Sequence, residues 1–345
     1  MEAVVNRLGR QTAYHVGELS EVAAVRRAGN LIARRLGFDD VRTGQLALII
    51  TEAATNIVKH AVEGEILLRT IVSGVRSGVE VLVLDRGPGM ANILLRMEDG
   101  HSTTGTYGVG LGAIRRLASE FDIYSASGLG TVLLMTLWDG PDLPPPPYWQ
   151  VGAVCLPIAG EEMCGDAFDV AESDGLLAIA LADGLGHGPD AALASERAVA
   201  LVPAHPTLAP GELLQLAHQA LHATRGAAMA LASIRQNAGE IRFCGVGNIS
   251  ACVMAPQSGT RRHLLSHNGI VGSNLRKVQE FVHPWTEESI IVLHSDGIGT
   301  RWDLAAYAGL ASCHASIIAA VLYRDFARMR DDAAVLVVRQ QKESA

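Results

Sequence analysis

The sequence has few cysteines and no long hydrophobic run. Its five cysteines form an odd count without C-x-x-C spacing, which favours buried thiols in a reducing compartment over disulfides or a zinc site. The apolar run at 176–182, LLAIALA, is far shorter than the ~20 residues of a membrane span. No basic segment followed by an apolar one opens the chain. We therefore expect a cytoplasmic protein with no membrane partner.

Basic residues are outnumbered by acidic ones. The formal net charge is −8, and no Lys/Arg cluster stands out beyond pairs of arginines. Because binding to nucleic-acid phosphates requires a basic surface, this balance argues against a nucleic-acid partner and favours proteins or small anions. The rest of the composition, with 49% hydrophobic and 19% charged residues, is typical of folded domains.

Proline is uncommon, at 13 residues, yet four prolines stand together at 144–147 in GPDLPPPPYW. Each proline fixes φ and lacks a backbone donor, so the run cannot enter a helix or a central strand and should extend as polyproline II. We therefore predict a linker at 140–149 between a first domain, 1–139, and a second domain, 150–340.

The first domain should contain two helices. Apolar residues recur at helical spacing over 20–36, behind a candidate Ser20 cap, and again over 43–61. The second helix places Glu52 and Asn56 four residues apart, on one face. Because a solvated helix surface often carries such a pair, the pair alone is weak evidence for a site.

Two glycine-rich stretches follow these helices. The strand VEVLVLD stops at Asp85 and turns through Gly87 and Gly89, where a carboxylate can accept a hydrogen bond from a ligand amine. Further glycines precede an amphipathic helix, and the N–H groups of such a helix start favour a phosphate, although a surface loop is the simpler interpretation. These are Gly105, Gly108, Gly110 and Gly112.

The chain has neither a P-loop nor a Rossmann fingerprint. Instead, the order of E-x-x-x-N on a helix, D-x-G-x-G at a strand end and G-x-G-x-G before a helix resembles the Bergerat ATP-binding fold. That fold is shared by histidine kinases, Hsp90-type ATPases and anti-sigma-factor kinases. Residues 11–138, and MEDGHSTTGTYGVGLGAIRRLASEFD above all, resemble the RsbT-like serine kinases of stress signalling.

This resemblance implies roles in binding ATP and Mg²⁺. Asp85 would accept the adenine amine, Asn56 would give an oxygen to Mg²⁺ on the phosphates, and Glu52 would act as base or orienter for the attacking hydroxyl. The other implied contacts to ATP are those of Gly87, Gly89 and Thr131 with adenine and of Gly105, Gly108, Gly110 and Gly112 with the phosphates.

In the second domain, carboxylates recur at strand ends. Two apolar strands, in LLAIALADGLGHG and SIIVLHSDGIGT, each stop at Asp-Gly, which alone usually marks a turn. A Gly-Asp pair precedes another strand, and Asp-Asp precedes the last one. Gathered carboxylates suit hard divalent cations, with surface solvation as the competing explanation. The acidic residues are Asp166, Asp183, Asp296, Asp331 and Asp332.

The order G-D, D-G, S-D-G, D-D resembles the PP2C-type metal-dependent phosphatases, and ADGLGHGPDAALAS resembles their SpoIIE, RsbX and RsbU branch. The resemblance implies two Mn²⁺ or Mg²⁺ ions that activate a water for attack on phosphoserine or phosphothreonine. Asp332 would stand beside the ligands, and Ala333 and Ala334 depart from the Met-Thr that relatives often have. The implied ligands are Asp183 as the bridge, the Gly184 carbonyl, Asp166, Asp296 and Asp331.

Three histidines are further candidates. His187 follows Asp183 in the same loop and is a candidate general acid, but a lone loop histidine is more often a structural hydrogen-bonding residue. His218 and His222 have the i, i+4 spacing of zinc ligands, but no acidic third ligand follows in the metalloprotease pattern, so we reject a zinc site.

The sequence thus predicts a two-domain α/β protein, with a Bergerat α/β sandwich followed by a PP2C-like α/β/β/α sandwich. The resemblances imply a bifunctional switch regulator that phosphorylates and dephosphorylates Ser/Thr on a STAS-domain partner. Such a protein would control a sigma factor or a stress response, with a sigma factor or downstream phosphatase as further partners. One alternative is a phosphatase whose first domain only binds a partner under ATP control, and another is a second domain that serves only as a scaffold.

Overall fold

The computed structural model describes residues 6–61, 63–93, 110–140, 142–236 and 238–341. They form two compact units, one with residues 8–145 and 312–324 and the other with residues 6–7, 146–311 and 325–341. Prolines 144–147 lie in neither helix nor strand. The domain boundaries drawn from the sequence stay a prediction, and they differ from the two units in where segment 312–324 lies.

The first unit is built on one sheet with the strand order β1-β3-β4-β6-β5, and β2 also pairs with β3. Its strands are β1 (Asn6–Leu8), β2 (Thr12–Val16), β3 (Gly64–Ser73), β4 (Arg76–Asp85), β5 (Glu120–Ser125) and β6 (Thr131–Trp138). Its helices are α1 (Leu19–Arg35), α2 (Asp40–His60), α3 (Gly110–Leu117) and residues 315–324 of α7 (Ala315–Phe326).

Helices α1 and α2 form as predicted and pack on one face of this sheet, with Val25 and Ile50 in the core between them. The start of α1 differs from the expected Ser20 cap. Glu21 Oε2 instead accepts the backbone N–H groups of Gly17 and Glu18, at 2.6 and 2.9 Å. A carboxylate near a helix start accepts hydrogen bonds from backbone N–H groups that lack a partner within the helix, and it interacts favourably with the helix dipole. Helix α1 therefore begins at Leu19, one residue before the predicted range.

The second unit contains two sheets, ordered β14-β11-β10-β9-β8, with β15 beside β11, and β13-β12-β16-β17-β7. The strands are β7 (Trp149–Leu156), β8 (Asp166–Ser173), β9 (Leu176–Gly184), β10 (Ala227–Arg235), β11 (Glu240–Val246), β12 (Ser250–Ala255), β13 (Thr260–Leu264), β14 (Ser266–His267), β15 (Phe281–Pro284), β16 (Ile290–His294) and β17 (Ala333–Gln340). Its helices are α4 (Pro189–Val199), α5 (Leu201–Ala204) and α6 (Pro210–Ala220).

These three helices pack on the first of the two sheets. Ala194, Val202 and Leu214 from the helices share a buried core with Met229 of β10. The predicted α/β class is therefore confirmed for the chain. None of the helices in the described residues is long and apolar enough to cross a membrane.

Candidate functional sites

Glu52 and Asn56 lie on one face of α2, next to the start of α3. A Cβ placed on Gly110 would lie 3.3 Å from Glu52 Oε2 and 3.5 Å from each polar atom of the Asn56 amide. The first turn of α3 therefore lies close to both side chains. Gly112 is buried within α3, whereas Gly105 and Gly108 lie outside the described residues.

Asp85 ends β4, and the turn after it holds its carboxylate. Asp85 Oδ1 accepts the N–H groups of Gly87 at 2.8 Å and of Thr131 at 3.2 Å. Burial raises the pKa of Asp85, while these two donors, Arg324 and His60 act in the opposite direction. Thr131 thus supports Asp85 through its backbone N–H, a contact that could not be predicted from the sequence.

The turn requires glycine for close packing. Gly89 has φ +67°, and a Cβ there would overlap the Ala126 carbonyl oxygen. A Cβ on Gly87 would lie 2.9 Å from the Cα of Ala61, which follows α2 directly. The turn after β4 therefore packs against the C-terminal end of α2.

The same helix thus receives both parts of the predicted nucleotide site. The Asp85 turn contacts its end at Ala61, and α3 contacts it at Glu52 and Asn56. At about 1.5 Å per residue, Asn56 and Ala61 are about 7.5 Å apart along the helix axis.

In the second unit, the register of β8 and β9 places Asp166 directly opposite Asp183. Asp166 is 4% exposed, and its Oδ2 accepts a hydrogen bond from Ser295 Oγ at 2.6 Å. Ser295 Oγ in turn accepts the N–H of Ala334 at 3.0 Å. Since that bond uses only the backbone of Ala334, the departure from the family at this position leaves it intact.

The two adjacent acids before β17 have different environments. Asp332 is 3% exposed, and its two carboxylate oxygens accept the N–H groups of Ile158 and Gly165, each at 2.8 Å. Asp331 is exposed. Asp332 therefore holds the segment between β7 and β8, while Asp331 is the acid of the pair that is open to a ligand.

Two further positions belong to this acidic group. Asp296 follows β16, and its Oδ2 accepts a hydrogen bond from Asn248 Nδ2 at 2.7 Å. The N–H of Gly184 donates to the Gly165 carbonyl at 3.0 Å, and a Cβ on Gly184 would overlap the Ala191 carbonyl oxygen. The sequence missed Asn248, because a lone asparagine after a strand carries no distinctive signal.

The carboxylates are close enough to affect one another. Burial, followed by the charges of Asp296, Asp331 and Asp332, raises the pKa of Asp183 to about 7. Burial and then Asp183 raise the pKa of Asp166 well above its usual value. Such like charges are stabilised together by a divalent cation with oxygen ligands, so the donor set fits Mg²⁺ or Mn²⁺.

The carboxylates can repel one another over longer distances than those at which they could share a metal ion, however. Within the described residues, no three His, Cys, Asp or Glu side chains form a group ready to hold a metal ion. Charges interact over several ångströms, whereas Mg²⁺ and Ca²⁺ ligands lie at about 2.0 to 2.6 Å. The choice of individual metal ligands therefore stays a prediction.

His187 is engaged outside the carboxylate group. Its Nδ1 lies 2.8 Å from Glu161 Oε1, and the His187 side chain is 62% exposed. We expect His187→Gln to retain metal-dependent hydrolysis of p-nitrophenyl phosphate within about threefold, because loss of a general acid typically costs about 10²- to 10⁴-fold. Glu161→Gln is the matched control. A hundredfold loss in His187→Gln alone would instead make His187 the general acid.

His218 and His222 both bind the backbone of Gly272. His218 Nδ1 accepts the Gly272 N–H at 2.9 Å, and His222 Nδ1 lies 3.0 Å from the Gly272 carbonyl oxygen. The two rings also contact each other edge to face, with centroids 4.6 Å apart. Their i, i+4 spacing therefore fixes a loop, which is a structural role.

Two family models match this chain. The histidine kinase-like ATPase domain matches residues 16–137, and the Stage II sporulation protein E (SpoIIE) model matches residues 173–341. The serine/threonine-protein kinase RsbT of Bacillus subtilis (strain 168) is 35% identical over 118 residues, which are 34% of this chain and 89% of RsbT. The phosphoserine phosphatase RsbX of the same organism is 28% identical over 142 residues, 40% of this chain and 69% of RsbX.

A solved structure gives a further likeness. A structure of the bacterial stressosome, described as a modular system adapted to control secondary messenger signalling, contains a chain 31% identical to this one. The match covers 55% of this chain and 99% of that chain, with a TM-score of 0.51.

Fold and matches define a two-domain protein that joins a histidine kinase-like ATPase domain to a PP2C-type phosphatase domain. Through its first domain the chain belongs to the RsbT family of serine/threonine kinases, and its second domain is a SpoIIE domain similar to RsbX. The family resemblances seen in the sequence are thereby confirmed.

Proposed function

We propose that this chain is a bifunctional switch regulator of the cytoplasm, which phosphorylates Ser/Thr on a STAS-domain partner and removes the same kind of phosphate. One observation carries the proposal: a single chain has Glu52, Asn56 and Asp85 arranged along α2 and a carboxylate group around Asp166 and Asp183. Similarity to RsbT and RsbX supports the opposed activities, and a sigma factor or downstream phosphatase are further partners.

In the kinase reaction, Asp85, Asn56 and Glu52 each have a separate task. The Asp85 carboxylate, which is held by Gly87 and Thr131, accepts a hydrogen bond from the adenine amine. The Asn56 side-chain oxygen would be a ligand of the Mg²⁺ of Mg·ATP, and Glu52 would orient or deprotonate the attacking hydroxyl. Since phosphoryl transfer depends mainly on positioning and charge stabilisation, these groups are suited to it.

In the phosphatase reaction, two Mg²⁺ or Mn²⁺ ions would be held by side chains and one backbone carbonyl. When bound, such ions supply an activated water and neutralise phosphate charge. Ser295 orients Asp166, and Asp332 fixes the segment that leads into β8. The proposed ligands are Asp166, Asp183, the Gly184 carbonyl, Asp296 and Asp331.

The test uses the full chain with a purified STAS-domain protein and follows the intact mass of that protein. With Mg·ATP, an Asp183→Asn variant should accumulate partner that carries one added phosphoryl group. Wild-type protein with Mn²⁺ and without ATP should then remove that group. If the partner and ATP both bind but the mass never increases, the first domain is a partner-binding module under ATP control, and the kinase half of the proposal is wrong.

A further inference from the structure

The sheet of the first unit has two buried faces. Along β4, Val81 and Val83 belong to the core formed with α1 and α2. Because side chains alternate along a strand, Leu82 and Leu84 point to the opposite face. These two leucines are nevertheless 0% and 2% exposed. Another segment of the chain must therefore cover this second face.

The strand register defines a row of residues across that face. Leu67 of β3, Leu82 of β4 and Leu134 of β6 lie directly opposite one another, and Asp122 of β5 is the next residue in the row. The backbone N–H of His314 donates to Asp122 Oδ2 at 2.6 Å. The covering segment thus starts at the β5 end of the row.

A second bond fixes the segment farther along the face. Ser316 Oγ donates to Glu80 Oε2 at 3.0 Å, and Glu80 lies two residues before Leu82 on the same side of β4. All residues of α7 from Ala315 to Arg324 are buried. Segment 312–324 belongs to the first unit.

The last residue of this segment reaches Asp85. Arg324 is 4% exposed, and its Nη1 donates to the carbonyl oxygen of Asp85 at 3.0 Å. The guanidinium of Arg86 donates in return to the Arg324 carbonyl. Arg324 thus binds the backbone of Asp85, while the Asp85 carboxylate is held separately by Gly87 and Thr131.

We propose that Arg324 is a positioning residue for nucleotide binding, which fixes the Asp85–Arg86 peptide so that the Asp85 carboxylate faces the adenine amine. This inference rests on the proposed role of Asp85 in binding ATP. The guanidinium charge also favours the ionised form of Asp85, which is the form that accepts a hydrogen bond from an amine.

The test compares Arg324→Lys with Arg339→Lys in the full chain. Arg339 is also buried, at 6% exposed, and donates to the Ala311 carbonyl at 2.7 Å, so it is a matched control. Lysine keeps the charge but loses the planar fork of arginine. We expect the Kd for Mg·ATP, measured by calorimetry, to rise about 10- to 100-fold in Arg324→Lys, as for loss of a charged hydrogen bond, and to change less than about twofold in the control.

If Arg324→Lys binds ATP like the wild type while Asp85→Asn does not, the positioning role is wrong and the nucleotide site stands. If the wild type itself binds no ATP, both proposals are wrong. Equal losses of affinity in both lysine variants would indicate general destabilisation and overturn the role of Arg324.

Discussion

Asp183→Asn should abolish metal-dependent phosphatase activity, with a fall in kcat/KM of about 10³-fold or more. Asp183 is the acid whose environment is shaped by three others, Asp296, Asp331 and Asp332. An asparagine keeps the size of the side chain but lacks the negative charge that a cation requires, and metal-supplied charge stabilisation is worth several kcal/mol. Hydrolysis of p-nitrophenyl phosphate over a Mn²⁺ titration measures the loss.

The same variant should have the opposite effect on stability without metal. Removing one of several mutually repelling carboxylates stabilises the fold, and a gain of about 1 kcal/mol would raise the melting temperature by ~2 to 4 °C. Asp174→Asn is the matched control, because Asp174 is exposed in the turn between the same two strands. Full activity in Asp183→Asn would remove Asp183 from the metal site, whatever its stability.

The strand-end acids were accessible from the sequence because their signals are local. Asp85 and Asp183 each close an apolar strand and precede glycine within two residues, and the structure places both at the ends of β4 and β9. Glu52 and Asn56 required only helical periodicity to be placed on one face. The positions of these residues were predictable because one element, read alone, fixes the position of a side chain, whereas their roles stay predictions.

The supporting contacts were not accessible in this way. Ser295 binds Asp166 across 129 positions of the chain, and Arg324 binds Asp85 across 239. The S-D-G motif contains this serine but does not indicate which acid it binds, and nothing in the neighbouring sequence distinguishes Arg324 from ordinary helix residues. Only the sheet register and the packing of α7 bring these partners together, so single-sequence patterns name the acids but miss what orients them.

The start of α1 shows the same limit at short range. The sequence suggested a cap at Ser20, but the Glu21 carboxylate accepts the N–H groups of Gly17 and Glu18 instead. Both residue types are compatible with a helix start. The sequence predicts that a helix begins there, whereas the hydrogen bonds decide at which residue.

Glu52→Gln should separate phosphate transfer from ATP binding. Glu52 and Asn56 both adjoin the start of α3, but only Asn56 is proposed to contact the Mg²⁺ of the nucleotide. Glutamine keeps the shape of Glu52 and loses its basicity, so we expect transfer to the partner to fall about 10²- to 10⁴-fold while the Kd for Mg·ATP stays within about threefold. Single-turnover transfer and calorimetry measure the two quantities, with Glu63→Gln, an exposed site in the same unit, as control.

Asn56→Ala and Glu52→Gln together distinguish a kinase from a binding module. A kinase loses transfer in both variants but loses ATP affinity in Asn56→Ala alone. A module that uses ATP only to hold its partner shows no transfer in the wild type, and Glu52→Gln then leaves partner binding unchanged while Asn56→Ala weakens it. Both side chains lie on one helix face beside Gly110, so we expect the two variants to lose a similar amount of melting temperature. A difference in transfer or ATP affinity between them then reflects the chemistry of the two side chains and not their stability.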